Sequence, residues 1–199
     1  MKFINYKNEE LFLDEGLIAD PIDNQIQIKV SSSGVNRADI LQKKGHYPPP
    51  KGESEIIGLE CSGIVEKIGD TVQKFKVGDE VCAILGGGGY AEFVNVDERQ
   101  VLPVPKNISL IDAGALPETL LTVYENIFNI SNFREGEKIL IHGGSSGIGT
   151  TAISLLKNFT NDIYVTAGTD EKCQKCINLG ATDAINYKNL DFEKYFEDN

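Results

Sequence analysis

The stretch KILIHGGSSGIG, Lys138–Gly149, decides the fold of this chain. Its first half is a continuous apolar run, as expected of a strand covered on both faces. Its second half places Gly143, Gly144, Gly147 and Gly149 at the head of a helical pattern, Gly147–Asn158, with Ile148, Ala152, Leu155 and Leu156 on one face. Downstream the alternation repeats: a strand over 162–167, a helix over Glu171–Leu179 stopped by Gly180, and a strand over Ala184–Tyr187. Strand, helix, strand, helix, strand at this spacing predicts parallel βαβ units of a doubly wound sheet.

Upstream the pattern differs. Ser109–Ile130 reads as helical, divided in two by Pro117, with Leu120, Leu121, Tyr124 and Phe128 on one face of the second piece. Before it come short strand-like pieces. Ile26, Ile28 and Val30 alternate with Gln27 and Lys29, and Gly63–Ile68, Asp79–Ile84, Tyr90–Val96 and Gln100–Val104 follow between Gly-rich or charged turns. Residues 36–44 form a short helical candidate among them. The fold class is therefore α/β plus β: a small barrel-like domain over 1–115, then the start of a doubly wound parallel domain over 116–199.

The glycine turn gains chemical meaning from its place between a strand and a helix. Glycines there permit a tight turn and close backbone approach to a diphosphate, and the helix N-terminus adds unpaired N–H groups and the positive dipole end. The tip of the second strand should then discriminate between nicotinamide cofactors. An NAD site places Asp or Glu there to accept from the ribose hydroxyls. Here the tip reads TAGTDEK, Thr166–Lys172, with small uncharged Gly168 and Thr169, Lys172 one turn on, and Tyr187 after the third strand. That favours NADPH.

Composition narrows the partners. The chain has 199 residues and a net charge of −11, which argues against nucleic acid and against an anionic membrane surface, both of which need a basic patch. No apolar run approaches the ~18 residues of a spanning helix. MKFINYKNEELF shows no secretory signal. Four Cys make no disulfide framework, so a reducing, cytoplasmic setting is expected.

Six strings carry a resemblance: GVNRADILQKKGHYPPP (34–50), IGLECSGIVEKIG (57–69), VGDEVCAILGGGGYAEFV (77–94), ALPETLLTVYENI (115–127), KILIHGGSSGIGTTAISLLK (138–157) and TAGTDEK (166–172). In order and spacing the chain resembles the zinc-independent quinone oxidoreductases of the medium-chain dehydrogenase/reductase superfamily. NYKNLDF (186–192) is similar to their tumour-suppressor-inducible branch. The resemblance implies a GroES-like β-barrel domain followed by a Rossmann domain, with the cofactor between them. It implies that Asn36 and Tyr47 line the nicotinamide and quinone pocket and that Thr122 contacts the nicotinamide end. It assigns Gly144, Ser145, Ser146, Gly147 and Ile148 to the diphosphate, and Gly168, Thr169, Lys172 and Tyr187 to the adenosine phosphate. From the residues alone, Asn36 is a helix-cap or turn asparagine and Tyr47 a packing tyrosine. The implied reaction is metal-free reduction by NADPH of a small-molecule quinone, enone or related activated carbonyl. A homo-oligomer is left open.

Zinc-dependent relatives use a Cys–His–Cys or Cys–His–acid set, but Asn36 stands where the first Cys would be and Leu59 where the His would be, so no metal is expected. Cys173 and Cys176 form a CxxC that lies mid-helix without a second pair, and Cys61 and Cys82 read as small buried hydrophobes. The glycine turn is also like that of short-chain reductases, whose helical Tyr-x-x-x-Lys is matched here only by Tyr47–Lys51, across three prolines that forbid a helix. Family members continue well past the point matching Asn199. The resemblance therefore also implies C-terminal truncation, an incomplete Rossmann sheet and an exposed parallel edge at KILIH. It sets a second expectation beside the reductase: a remnant without turnover that binds nucleotide weakly or only oligomerises.

Overall fold

A computed structural model describes residues 1–198, and the chain divides into two units, Met1–Glu118 and Thr119–Asn199. The first opens with a hairpin of β1 (Lys2–Lys7) and β2 (Glu10–Glu15). Asn8 and Glu9 turn it, both with positive φ (51° and 63°), the geometry whose twist matches paired strands. Its charged tip, KNEE, hides it from a reading by apolar alternation.

Then follow β3 (Gln25–Ser32), α1 (Arg37–Lys43), β4 (Glu60–Ile68), β5 (Glu80–Ile84), β6 (Phe93–Asp97) and β7 (Val101–Pro103). These strands form one antiparallel sheet in the order β6-β3-β4-β5-β7. Shifts in the β3–β4 register after Gln27 and Val30 mark bulges, which bend a sheet and let it curl. Ile26, Ile28, Cys61, Val65, Val81, Ala83, Val94 and Val96 fill its core. The expected strands are all present, with ends moved by at most three residues.

The helical stretch over 109–130 is corrected in detail. A short 3-10 turn (Asp112–Ala115) precedes α2 (Pro117–Tyr124), which runs on into a π-helical turn (Glu125–Ile130). Pro117 divides the stretch as expected, and it does so by opening α2, because the first helical N–H has no intrahelical partner to lose. Beyond Pro117 the buried residues of this stretch are Val123 and Ile127, four apart, whereas Tyr124 is exposed and rests its ring on Phe128 at 5.4 Å. A fixed period of 3.6 residues cannot follow a stripe into a π-helical turn.

The second unit continues with β8 (Ile139–Ile141), α3 (Gly147–Leu156), β9 (Ile163–Ala167), α4 (Asp170–Leu179), β10 (Asp183–Asn186) and α5 (Phe192–Asp198). Its strands are parallel, in the order β10-β9-β8. The buried stripe of α3 is Gly149, Ala152, Ile153 and Leu156, not one that includes Ile148, which is exposed. Gly149 belongs to the stripe, and a search for apolar side chains passes over it. Ile153, Leu156, Ile163 and Val165 join Val123 and Ile127 in this unit's core. Among the described residues β8 is an edge strand with half-buried side chains, as expected for KILIH. Cys173 and Cys176 both lie on the buried face of α4, where burial raises their thiol pKa, so they serve packing.

Candidate functional site

In the second unit, the turns after all three strands lie at one edge of the parallel sheet, the carboxyl edge where such sheets take ligands. After β8, Gly143 has φ +72° and Gly144 lies against Val165 of β9, so tightly that a Cβ on it would sit 2.6 Å from the Val165 Cβ. Ser146 caps α3, its Oγ accepting from the Gly149 N–H at 3.0 Å, and its own N–H returns to the Gly143 carbonyl. The Gly147 and Ile148 N–H groups, at the positive end of this ten-residue helix, have no acceptor among the described residues. A Cβ on Gly147 would meet only Thr119 Cγ2, at 3.7 Å. Ser145 is half-buried beside them.

After β9 comes Gly168, where a Cβ would lie 2.8 Å from the Tyr187 hydroxyl. Thr169 caps α4 by accepting from the Lys172 N–H at 3.2 Å. The acids at this tip are engaged elsewhere: Asp170 accepts from Asn186 Nδ2 at 2.6 Å and Glu171 pairs with Lys175 at 2.8 Å. Lys172 is exposed and forms no ion pair among the described residues. Tyr187, also exposed, donates its N–H to the Ala167 carbonyl beside Gly168. Gly168, Thr169 and Tyr187 are thus brought together, with Lys172 on the first turn of α4. Thr122 and Ile148 meet differently, as walls of a groove of about 580 Å³ that also touches Ile139, Ile141 and His142. His142 lies at the end of β8, its Nδ1 3.2 Å from Thr166 Oγ1 and its ring edge-on to Phe192.

The first unit holds a network that sequence reasoning missed. Glu60, at the start of β4, is 1% exposed. One of its carboxyl oxygens accepts from Asn36 Nδ2 at 2.7 Å and the other from the Glu118 N–H at 2.9 Å. Gly34 has no room for a Cβ because the Glu60 carboxyl fills that space. Asn36 is the N-cap of α1, and its N–H donates at 2.7 Å to Asp39, which also accepts the Tyr90 hydroxyl at 2.9 Å. The second Asp39 oxygen is buried without a partner, as is Oε1 of Gln42 one turn along. Burial raises the Glu60 carboxyl, opposed by its two donors; burial, Glu60 and Asp39 raise Glu118. Burial and the bond to Asp39 raise Tyr90. Tyr47 follows α1 and is exposed. The thiol of Cys61, next to Glu60, is pushed up to about 12 by burial, which suits an inert core residue.

Comparison with known proteins fits this geometry. Residues 22–106 match the alcohol dehydrogenase GroES-like domain. A quinone oxidoreductase from Escherichia coli, solved in complex with NADPH, superimposes with a TM-score of 0.85 at 30% identity, over 99% of this chain and 61% of that one. The CurK enoyl reductase matches with a TM-score of 0.86 at 26% identity, over 98% of this chain and 62% of that one. A probable polyketide synthase of Dictyostelium discoideum is 39% identical over 166 residues, 78% of this chain and 6% of its own length. The chain thus spans less than two thirds of the proteins it matches. With an alcohol dehydrogenase GroES-like domain over 22–106, a parallel unit opening on a glycine turn and these neighbours, the chain is similar in sequence and fold to quinone oxidoreductases of the medium-chain dehydrogenase/reductase superfamily.

Proposed function

We propose that the chain binds NADPH and serves the metal-free reduction of quinones or related activated carbonyls. The observation that carries this reading is the carboxyl edge of β8, β9 and β10. There the two unpaired N–H groups of Gly147 and Ile148 lie on the same edge as a tip holding Gly168, Tyr187 and Lys172, with both neighbouring acids tied elsewhere. The residues suit the cofactor. Gly147 leaves its N–H open to a phosphate, Ser146 keeps its hydroxyl hydrogen for another phosphate oxygen, and Lys172 offers the 2′-phosphate a cation.

The nicotinamide supplies the reducing electrons when bound. The chain's own groups supply position and hydrogen bonds. Asn36 has one Nδ2 hydrogen beyond the one given to Glu60, and that hydrogen and the Tyr47 hydroxyl polarise an acceptor oxygen. Thr122 orients the nicotinamide end. The metal-free reading rests on the donor set: Leu59 is apolar and buried, and the Asn36 amide nitrogen, which donates to Glu60, has no free lone pair for a metal. A second substrate, the activated C=C of an enone or enoyl thioester, is favoured by the CurK enoyl reductase and the polyketide synthase among the matches. Calorimetric titration with NADPH and NADH, then NADPH oxidation with a quinone or an enone, tests the reading. Tighter NADPH binding and acceptor-dependent oxidation are expected; no binding of either nucleotide by the folded chain overturns it.

A further inference from the structure

We propose that Glu60 is a positioning residue for Asn36: its buried carboxyl holds the Asn36 amide in one flip state and so fixes which hydrogen Asn36 offers to a ligand. This deepens the proposed reductase reading, on which its functional part rests.

An asparagine amide has two nearly isosteric orientations, and only its hydrogen-bond partners choose between them. At Asn36 the choice is made by a chain of fixed groups. The Glu118 N–H is backbone and can only donate, so one Glu60 oxygen must stay on it. The other Glu60 oxygen is then an acceptor aimed at Asn36, which must answer with Nδ2, at 2.7 Å. The carboxyl cannot slide away, because Gly34 has its Cα where any larger residue would displace it. Nor can Asn36 move with its loop. Its N–H is held by Asp39, the Gly34 carbonyl accepts from Tyr90 Oη at 3.3 Å, and Ser33 Oγ donates to the Gly89 carbonyl. Two of the three strings meeting here, 34–39 and 86–90, lock the loop, and the third, 58–60, brings the carboxyl that sets the amide. Of the two Nδ2 hydrogens, the carboxyl takes one, and the second keeps a fixed direction.

Glu60→Gln separates positioning from packing. It keeps shape and burial but has one acceptor where two are needed. Its Oε1 must stay on the Glu118 N–H, which turns its Nε2 toward Asn36 and forces the Asn36 amide to turn over.

The first readout is the side-chain amide signal of Asn36 in the 15N-labelled 199-residue protein, assigned by its loss in Asn36→Ala. In the wild type its two protons are expected to be inequivalent, one protected at least about tenfold from solvent exchange by its bond to a buried carboxylate. In the folded Glu60→Gln protein the pattern changes and that protection is lost. Two equally unprotected Asn36 protons in the wild type overturn the proposal whether or not the variant folds. So does an Asn36 signal that Glu60→Gln leaves unmoved. The second readout is a double-mutant cycle on NADPH affinity. Glu60→Gln is expected to weaken NADPH binding about threefold to tenfold in the wild-type background and not at all in Asn36→Ala. Equal weakening in both backgrounds marks a merely structural role and overturns the functional part. If no variant, nor the wild type, binds NADPH, the reductase reading fails, and the exchange data alone decide the flip.

Discussion

Gly149 and Gly147 lie two residues apart in the same helix, yet the structure gives their substitution by Ala different consequences. In an exposed helix, Gly→Ala stabilises by about 0.5–1 kcal/mol. At Gly149 the new Cβ would lie 2.5 Å from the Gly143 carbonyl oxygen and 2.6 Å from Gly144 Cα. Those are backbone atoms of the turn that Val165 already holds, so α3 itself must move. Overpacking of this kind costs about 1–3 kcal/mol, and backbone rather than side chain on the receiving side puts it at the upper end. Subtracting the helix gain leaves about 2 kcal/mol of destabilisation, roughly a thirtyfold larger unfolded fraction. At Gly147 the Cβ would make only an ordinary contact with Thr119 Cγ2 at 3.7 Å, so stability should stay within about 0.5 kcal/mol. The same methyl stands where a phosphate would approach the N–H, and NADPH affinity should fall about tenfold or more. The assay is amide exchange of Ile163–Ala167, which reports on the second unit, paired with NADPH calorimetry. A Gly149→Ala protein as stable as the wild type would refute the close-packing argument. A Gly147→Ala protein with unchanged NADPH affinity would refute the phosphate role of the turn.

Other outcomes follow from the same structure. Lys172→Gln should weaken NADPH about threefold to tenfold and leave NADH unchanged, an effect that added salt erodes, as binding at several ionic strengths will show. Tyr90→Phe leaves Asp39 with one donor fewer and should destabilise the first unit by about 1–2 kcal/mol in denaturant unfolding. Glu60 and Glu118 both have folded pKa values raised above the ordinary glutamate value, so their contribution to stability is fully present below that ordinary value and declines as pH rises through the folded values. Glu118→Gln should therefore raise stability at pH 7–8 and change nothing near pH 4, measured by unfolding across that range. Treatment with a chelator should alter neither NADPH binding nor any acceptor-dependent NADPH oxidation.

Much of the second unit was legible because its signals are local. An apolar run, a glycine turn, and a helix ended by Gly180 each reflect forces acting within a few residues, and the strands fell within a residue or two of their expected places. Asn36 was named, by resemblance, for the pocket, and as a cap residue from its own position; it is the N-cap of α1. Glu60, Asp39, Tyr90 and Glu118 were not visible as a group. They are separated by as many as 79 positions and become neighbours only when β4, α1 and the start of α2 converge. The one available signal was a carboxylate, Glu60, at the head of a strand whose next residues, Cys61 and Ser62, are small and buried, a poor place for an unpaired charge. The hairpin β1–β2 escaped because its turn is charged, and the helical faces shifted because a glycine and a π-helical turn lie in them.

The central claim is tested most directly by calorimetric titration of the folded 199-residue chain with NADPH and then NADH. Saturable NADPH binding, weaker for NADH and weakened by Lys172→Gln, is the predicted result. Equal affinity for the two, or no heat with either, would contradict it.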